Sequence, residues 1–522
     1  MIPGCVPWPE ESARRYRELG LWTGRTLASL LHAHDGRTAL VTATGERRTY
    51  RDLAGRAARL ATGLHHLGVR PGERVIVHLP NSPELIDTLF ALFTLGAAPV
   101  LALPPHRHDE IGHLAARTEP AAYVIPDHHQ GFDHRELARR IHGPGQVIVA
   151  GQPEEFTPLD ALYTEPADLK PPDPGDVALF LLSGGTTGRA KLIPRTHDDY
   201  LCNLRLSAAN AQLTEDDVYL AALPIAHNYA LGSPGVLGTL HAGGAVVLTP
   251  TPSPDDAFPI IERERVTVTG LVPSLGLLWA EAAAWTPHRL DSLRLVQLGG
   301  AAAGPELVAD VEARLGRVQQ SFGMAEGLLS QSPPDDGPEL RAGAQGRPLS
   351  EQDEIRVVDE SGAEVPAGQA GELLVRGPYT IRGYFRADDH NARAFTPDGF
   401  FRTGDLARVT PSGHLVICGR VKDVINRGGD KVPADEVEEH LLAHPHVRAA
   451  AVVAVPDHYL GERSCAYIVA GDEPPTLPAI GAFMRERGAA AYKIPDRMVV
   501  VPSLPLTPVG KVDKARLRGE AS

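Results

Sequence analysis

Apolar residues recur along the first 300 positions in short runs that alternate with stretches of helical spacing. Leu53, Ala57, Leu60 and Leu64 fall on one face of a helix predicted over 50–67, preceded by a short helix at Leu27, Leu30 and Leu31 and a hairpin over 38–50. Arg74–Leu79 predicts a buried strand, and Asn81-Ser82-Pro83-Glu84 reads as the capped start of a helix reaching Leu95. Further apolar runs at 97–103, 121–125, 146–149, 177–182, 218–224, 243–248, 266–273 and 293–300 predict strands separated by helices. This alternation implies mainly parallel sheets covered by helices.

The pattern changes beyond Gly346. Short β segments at 354–358 and 371–377 predict a small barrel-like β region. From Cys418 the chain reads as a final unit with a helix over 433–442, strands at 449–455 and 464–469, a helix around Ile480, Phe483 and Met484, and an exposed loop over 505–514. The expected architecture is an α/β large domain, 1–419, followed by a small mobile α+β domain, 420–522. The segment from Trp8 to Trp22 reads as a surface helix docked on the large domain.

Composition narrows this reading. At 522 residues the chain exceeds one ordinary core, and 43% hydrophobic against 22% charged residues is a globular balance. A net charge of −14 without a basic stripe argues against nucleic acid and anionic membranes as partners. Cys5, Cys202, Cys418 and Cys465 are widely spaced with no CxxC pair, which suits a reducing compartment. The N-terminal residues lack the pattern of a secretory signal, so a cytoplasmic protein is expected.

The chemistry centres on Ser183-Gly184-Gly185-Thr186-Thr187-Gly188-Arg189-Ala190-Lys191, directly after the apolar run 177–182. Three glycines allow a tight turn that aims backbone N–H groups at an anion, and hydroxyls with one ammonium add donors. The spacing is not that of a Walker A loop, since Ala190 precedes the lysine and Leu192 follows it. Taken alone, the cluster reads equally as a surface turn. With the continuation Leu192-Ile193-Pro194-Arg195-Thr196-His197, it resembles the phosphate loop of the adenylate-forming superfamily of acyl-CoA ligases, luciferases and peptide-synthetase adenylation domains. Arg189-Ala190 departs from that pattern, in which proline commonly precedes the lysine.

The resemblance implies ATP and Mg²⁺ as cofactors and assigns further residues. Phe322-Gly323-Met324-Ala325-Glu326-Gly327 matches the Mg-binding segment, with Glu326 as the ligand; on its own Glu326 reads as a solvated charge. Phe322, Gly323, Gly299, Gly300 and Ala301 would flank adenine. Asp405 and Arg420 would hold ribose or phosphate, or else form a structural ion pair. Lys511, in Pro508-Val509-Gly510-Lys511, corresponds to the superfamily's catalytic lysine, with Lys514 a close competitor. Lys422 occupies the hinge position about which the small domain turns between an adenylating and a thioester-forming pose, and Gly429 would give a pantetheine arm room, although Gly428-Gly429 also reads as a hairpin turn.

Trp8-Pro9-Glu10-Glu11, Ala226-His227-Asn228-Tyr229 and Gly461-Glu462-Arg463-Ser464-Cys465 are similar to segments of the stand-alone aryl-acid adenylating enzymes, the group of the 2,3-dihydroxybenzoate:AMP ligases of siderophore pathways. That likeness extends over nearly the whole chain. It implies an aryl acid substrate, a phosphopantetheinylated aryl carrier protein as acceptor, and an acid pocket of Asn228, Tyr229, Ser233, Met324 and Leu329 beside a catalytic His227. His227 also reads as packing against its loop, and Ser233 as a helix cap. Ser233 matches dihydroxybenzoate enzymes whereas Leu329 matches salicylate enzymes, so 2,3-dihydroxybenzoate, salicylate, 3-hydroxyanthranilate and a hydroxypicolinate all stay open. Free coenzyme A, or an oxygen or nitrogen nucleophile, is the alternative acceptor, and a non-catalytic scaffold the reading from a different class.

Overall fold

The computed structural model describes residues 2–183, 190–427, 430–457, 460–471, 473–487, 489, 491–507 and 510–521. Gly184, Gly185, Thr186, Thr187, Gly188 and Gly429 lie outside the described residues.

Two large sheets form the body. One runs in the order Leu192–Thr196, Val177–Leu182, Ala98–Leu101, Arg74–Val77, Ala122–Pro126, Gln146–Ala150, Thr157–Pro158, parallel except for the antiparallel first pair. The other has nine strands, with Val218–Ala221, Ala245–Leu248, Val268–Leu271, Leu295–Gly299 and Arg317–Met324 parallel at its centre and Gly327–Gln331 antiparallel near one edge. A single apolar core joins both sheets through Tyr50–Leu67 and Pro83–Leu95. The first of these helices starts on a Thr49–Asp52 capping box and ends at Gly68, whose φ of 113° only glycine adopts readily. The second starts on Ser82, with Pro83 in its first turn, as its sequence predicts.

The barrel-like region expected after Gly346 is a four-stranded antiparallel meander of Glu354–Val358, Gly371–Arg376, Phe401–Val409 and Leu415–Arg420. Arg420, expected to open the small unit, is the last residue of this sheet. After the single turn Val421–Asp423 the chain enters a different sheet, beginning at Val424–Arg427. In that sheet the long strands Val447–Asp457 and Gly461–Ala470 bury alternate residues on opposite faces. Val452 packs toward Ala434–Leu442 and Leu477–Glu486, while Val453 packs toward Lys514–Ala521.

The N-terminal helix Glu10–Glu18 docks on the body, as its amphipathic pattern predicts. Trp8 meets Tyr16 and Trp22 edge to face, the Trp22 indole N–H donates to the Pro378 carbonyl at 2.9 Å, and Arg17 pairs with the buried Asp198 at 2.8 Å. Among the described residues no helix is long and apolar enough to cross a membrane.

Candidate active site

The candidate residues gather where the central strands of the nine-stranded sheet end. Gly299 ends the strand Leu295–Gly299 and Gly300 follows it, Val272 follows Val268–Leu271, His227 lies beyond Val218–Ala221, and Glu326 lies beyond Arg317–Met324. The carboxyl edge of a parallel sheet is the usual ligand position in open α/β folds, because the connections there fan outward and leave a crevice.

Ser183 and Lys191 close the neck of the glycine-rich loop. The Ser183 hydroxyl accepts the Lys191 N–H at 2.9 Å, and the Ser183 N–H donates to the Lys191 carbonyl at 3.0 Å. Lys191 Nζ stands 5.7 Å from the centre of the Tyr384 ring, and the Tyr384 hydroxyl donates to Glu326 Oε1 at 2.7 Å. One phenol thus sets the candidate phosphate lysine and the candidate metal carboxylate against each other. Burial pushes the Glu326 carboxyl above its ordinary range, so the site holds this charge at a cost that an added cation would relieve. Among the described residues no three metal-ligating side chains cluster. A lone carboxylate still fits Mg²⁺, which takes one or two protein oxygens and completes its shell with phosphate and water.

The turn carrying Glu326 is held from behind by Arg195, which is fully buried. Its guanidinium donates to Asp199 Oδ1 at 2.7 Å, the Ala325 carbonyl at 2.9 Å and the Tyr379 carbonyl at 3.1 Å. Arg195 does not stand out as a site residue from its spacing, and Tyr384, which the sequence groups by resemblance with the ribose segment, sits instead on Glu326. The available signal for Arg195 is a charge in a short strand that opens with Leu192-Ile193.

Asp405 and Arg420 face each other across their two strands and pair at 2.8 Å. Burial raises the Asp405 carboxyl, and the Arg420 guanidinium opposes that rise. Lys511 comes from the small unit. Its hairpin is closed by the Leu506–Val512 bridge and by the Lys511 N–H to the Thr507 hydroxyl at 3.2 Å, with Gly510 at φ 79°. Expected on an exposed loop, Lys511 is half-buried in the seam, because Gly300 has no side chain: a β-carbon there would stand 3.0 Å from Lys511 Cε. Burial and the nearby Arg420 lower the Lys511 proton affinity, while Asp405 and Glu326 raise it. The competitor Lys514 points elsewhere, 3.0 Å from Asp435 Oδ1 and 2.8 Å from Glu438 Oε1, within the small unit.

His227 Nδ1 accepts the Tyr229 N–H at 3.3 Å and caps the short helix Asn228–Gly232. Burial, reinforced by Lys511, brings its pKa down to about 4, so the imidazole is neutral and Nε2 carries the proton. Asn228 Oδ1 accepts the Tyr200 hydroxyl at 2.8 Å. Tyr229 lies against Gly299, and its hydroxyl is buried without a partner among the described residues. The Ser233 hydroxyl is likewise buried and unpaired, so it does not cap the helix Gly235–Ala242. Buried hydroxyls left unpaired are rare and point to a missing polar partner.

Phe322, Gly323 and Met324 lie on one strand, Phe322 and Met324 packing against the main core, and Ala301 is exposed beyond Gly300. Leu329 stands opposite Gly323 and packs with Tyr16, Trp22, Cys202 and Tyr379, so the N-terminal helix backs this wall. Lys422 is exposed in the turn Val421–Asp423, close enough to Arg420 and Asp405 for their charges to act on it.

Comparison with known proteins accords with this geometry. The chain is 52% identical to the 2,3-dihydroxybenzoate-AMP ligase of Bacillus subtilis, covering 99% of this chain and 98% of that protein. It is 46% identical to a salicyl-AMP ligase / salicyl-S-ArCP synthetase of Mycobacterium tuberculosis, covering 98% and 94%. The apo structure of MbtA from Mycobacterium smegmatis superposes with a TM-score of 0.77 at 46% identity, covering 99% of each chain. Residues 29–385 match the AMP-binding enzyme family and residues 436–511 its C-terminal domain. From its matched residues and its relatives alike, this chain belongs to the AMP-binding enzyme family.

Proposed function

We propose that this protein is an ATP-dependent aryl-acid ligase. A carboxylate oxygen of an ortho-substituted aryl acid attacks the α-phosphorus of ATP, the bond to the β-phosphate oxygen breaks, and aryl-AMP and pyrophosphate form. The thiol of a phosphopantetheine arm on an aryl carrier protein then attacks the acyl carbon, and AMP departs as the thioester forms. The AMP ligases at 52% and 46% identity support this class.

The observation that carries the reading is the placement of Lys511 in the seam beside Gly300, close enough to Asp405, Arg420 and Glu326 for their charges to act on it. Two anions must meet for adenylation, and a buried ammonium offsets their repulsion most where charge develops. Lys191 and the glycine-rich loop hold the triphosphate, and Asp405 takes the ribose hydroxyls. The neutral His227 offers its Nε2–H to an acyl or phosphate oxygen without adding charge. Glu326 would hold Mg²⁺, which when bound supplies positive charge to the phosphate oxygens. The large domain ends at Arg420, and the turn Val421–Asp423 with Lys422 is the pivot that later withdraws Lys511 and brings Gly429 to the crevice. Four free cysteines and ATP as co-substrate support a cytoplasmic setting.

The test is ATP–pyrophosphate exchange dependent on added aryl acid, followed by transfer to a carrier protein or to coenzyme A. Exchange with at least one of salicylate, 2,3-dihydroxybenzoate, an anthranilate or a picolinate is expected. Its absence with all four would overturn the reading.

A further inference from the structure

We infer that His113, on the helix His108–Thr118, is a positioning residue for Lys191: it clamps the peptide bond that leads into the lysine and so sets where the ammonium meets the triphosphate of ATP. This rests on the reading of Lys191 as a phosphate-binding residue above, and it adds to that site a side chain 77 positions earlier in the chain than the carbonyl it holds.

His113 Nε2 stands 3.1 Å from the Ala190 carbonyl oxygen. A carbonyl only accepts, so Nε2 carries the hydrogen and His113 donates. The other end of the same peptide bond is the Lys191 N–H, which donates to the Ser183 hydroxyl at 2.9 Å. Because the peptide unit is planar, holding both its C=O and its N–H fixes its plane, and with it the direction in which the Lys191 side chain leaves the chain. Ala190 leaves its own φ free, where a proline would set it, so this orientation comes from the partners. On the far side of the lysine the Lys191 carbonyl accepts the Ser183 N–H, and the Leu192 carbonyl accepts the N–H of Phe385, the residue after Tyr384, each at 3.0 Å. Of these contacts, only that of His113 is made by a side chain outside the glycine-rich segment.

The clamp is mounted on a packed body. Ile111, Leu114 and Ala115 of the same helix are buried in one apolar cluster with Phe180, Leu192 and Phe385. Phe180 and Leu192 belong to the strands Val177–Leu182 and Leu192–Thr196 on either side of the glycine-rich segment, so the helix and the strands it steadies move as one. A tilt of the Ala190–Lys191 peptide would be carried along the whole lysine side chain and would shift its ammonium from its place 5.7 Å from the centre of the Tyr384 ring. Positioned groups lose much of their effect on small displacements. His113 and Ala190 are themselves half-buried, so water can take over the carbonyl when the imidazole is removed, and the loss falls on orientation more than on folding.

The experiment is equilibrium binding of ATP to the full-length protein by titration calorimetry, alongside pyrophosphate exchange with ATP and the aryl acid varied in turn. His113→Ala should weaken ATP binding about three- to tenfold, the worth of one hydrogen bond, and raise KM for ATP by a similar factor while KM for the acid changes less than about twofold. His113→Gln, whose amide nitrogen reaches as far as Nε2, should restore ATP binding to within about twofold of wild type, and His113→Asn, whose nitrogen reaches only as far as Nδ1, should not. In a Lys191→Ala background, His113→Ala should weaken ATP binding by less than about a further twofold, because the clamp acts through the lysine. Unchanged ATP binding in folded His113→Ala, equal recovery by Gln and Asn, or the full further loss in the Lys191→Ala background would overturn the inference. If His113→Ala does not fold, the contrast between Gln and Asn decides it. If Lys191→Ala alone leaves ATP binding unchanged, the phosphate role of Lys191 falls and the inference with it. Absence of exchange with every acid, while ATP binding follows the expected pattern, would instead overturn the aryl-acid reading and leave the clamp standing.

Discussion

Lys511 and Lys514 lie three positions apart, and their separate fates give a sharp test of the site. Lys514 Nζ is shared by Asp435 and Glu438, and burial pushes the Glu438 carboxyl up to about 7 even beside this cation. Removing the ammonium leaves a buried carboxylate facing a second one, which costs about 3–5 kcal/mol for a buried pair. Glu438 can relieve part of this by taking up a proton, so the lower end, about 3 kcal/mol, is expected. In a unit of roughly 100 residues each kcal/mol lowers the transition by about 4–8 °C, so Lys514→Ala should drop the small domain's unfolding temperature by more than about 10 °C. Lys511 has no ion-pair partner among the described residues, and burial disfavours its charge. Lys511→Ala should therefore change stability by less than about 1 kcal/mol. Its cost falls on catalysis, about 10²–10³-fold in adenylation, as for loss of one preorganised charge-stabilising donor. The assay pairs pyrophosphate exchange below the transition with scanning calorimetry through it, and adds release of supplied aryl-AMP to a thiol acceptor, which Lys511→Ala should largely spare. If Lys514→Ala lost adenylation at unchanged stability while Lys511→Ala unfolded, the assignment of the two lysines would be wrong.

Tyr384→Phe removes the hydroxyl that orients Glu326 at 2.7 Å but keeps the ring beside Lys191; the Mg²⁺ concentration for half-maximal exchange should rise about tenfold, as for a lost hydrogen bond to a charged group. Gly299→Ala would place a β-carbon 2.8 Å from Tyr229 Cζ, forcing that ring to move. It should raise KM for the acid about tenfold or more while ATP affinity changes less, as measured by initial rates with each substrate varied. Acid should destabilise the large domain through His78, which is fully buried between the Tyr123 hydroxyl and the Pro104 carbonyl, with its pKa brought down to about 3 by burial. Above pH 6.5 it is neutral folded or unfolded; below, only the unfolded chain takes the proton, so stability falls with pH and the loss at pH 5 is about 2 kcal/mol. Urea unfolding of wild type and His78→Gln at pH 7.5 and 5 should show the variant losing about 2 kcal/mol less over that interval.

Much of the molecule was legible before any packing was known. The helix over 50–67, the capped helix ending at Leu95 and the strand 177–182 follow from apolar period and end signals, and their observed bounds agree. Those signals are local, within a turn of helix or a few strand residues. The same locality explains the misplacements. Arg420 closes the meander only because Asp405, 15 positions earlier in register across the strands, is its partner. Lys511 leaves solvent only because Gly300 accommodates it.

What the sequence by itself determined is the order of strands and helices, the division into a large and a small unit, and a set of candidate residues for a nucleotide and an acid. Periodicity, turn residues and side-chain type are properties of neighbouring positions, so they survive without a fold. Which lysine enters the seam, which phenol orients Glu326, whether Ser233 caps a helix and which way Asn228 turns its amide were decided by tertiary structure alone. Tyr200 is 28 residues from Asn228 and Tyr384 is 58 from Glu326, far beyond the reach of local pattern. Hydrogen bonds and burial between such distant positions exist only once the sheets and helices have packed.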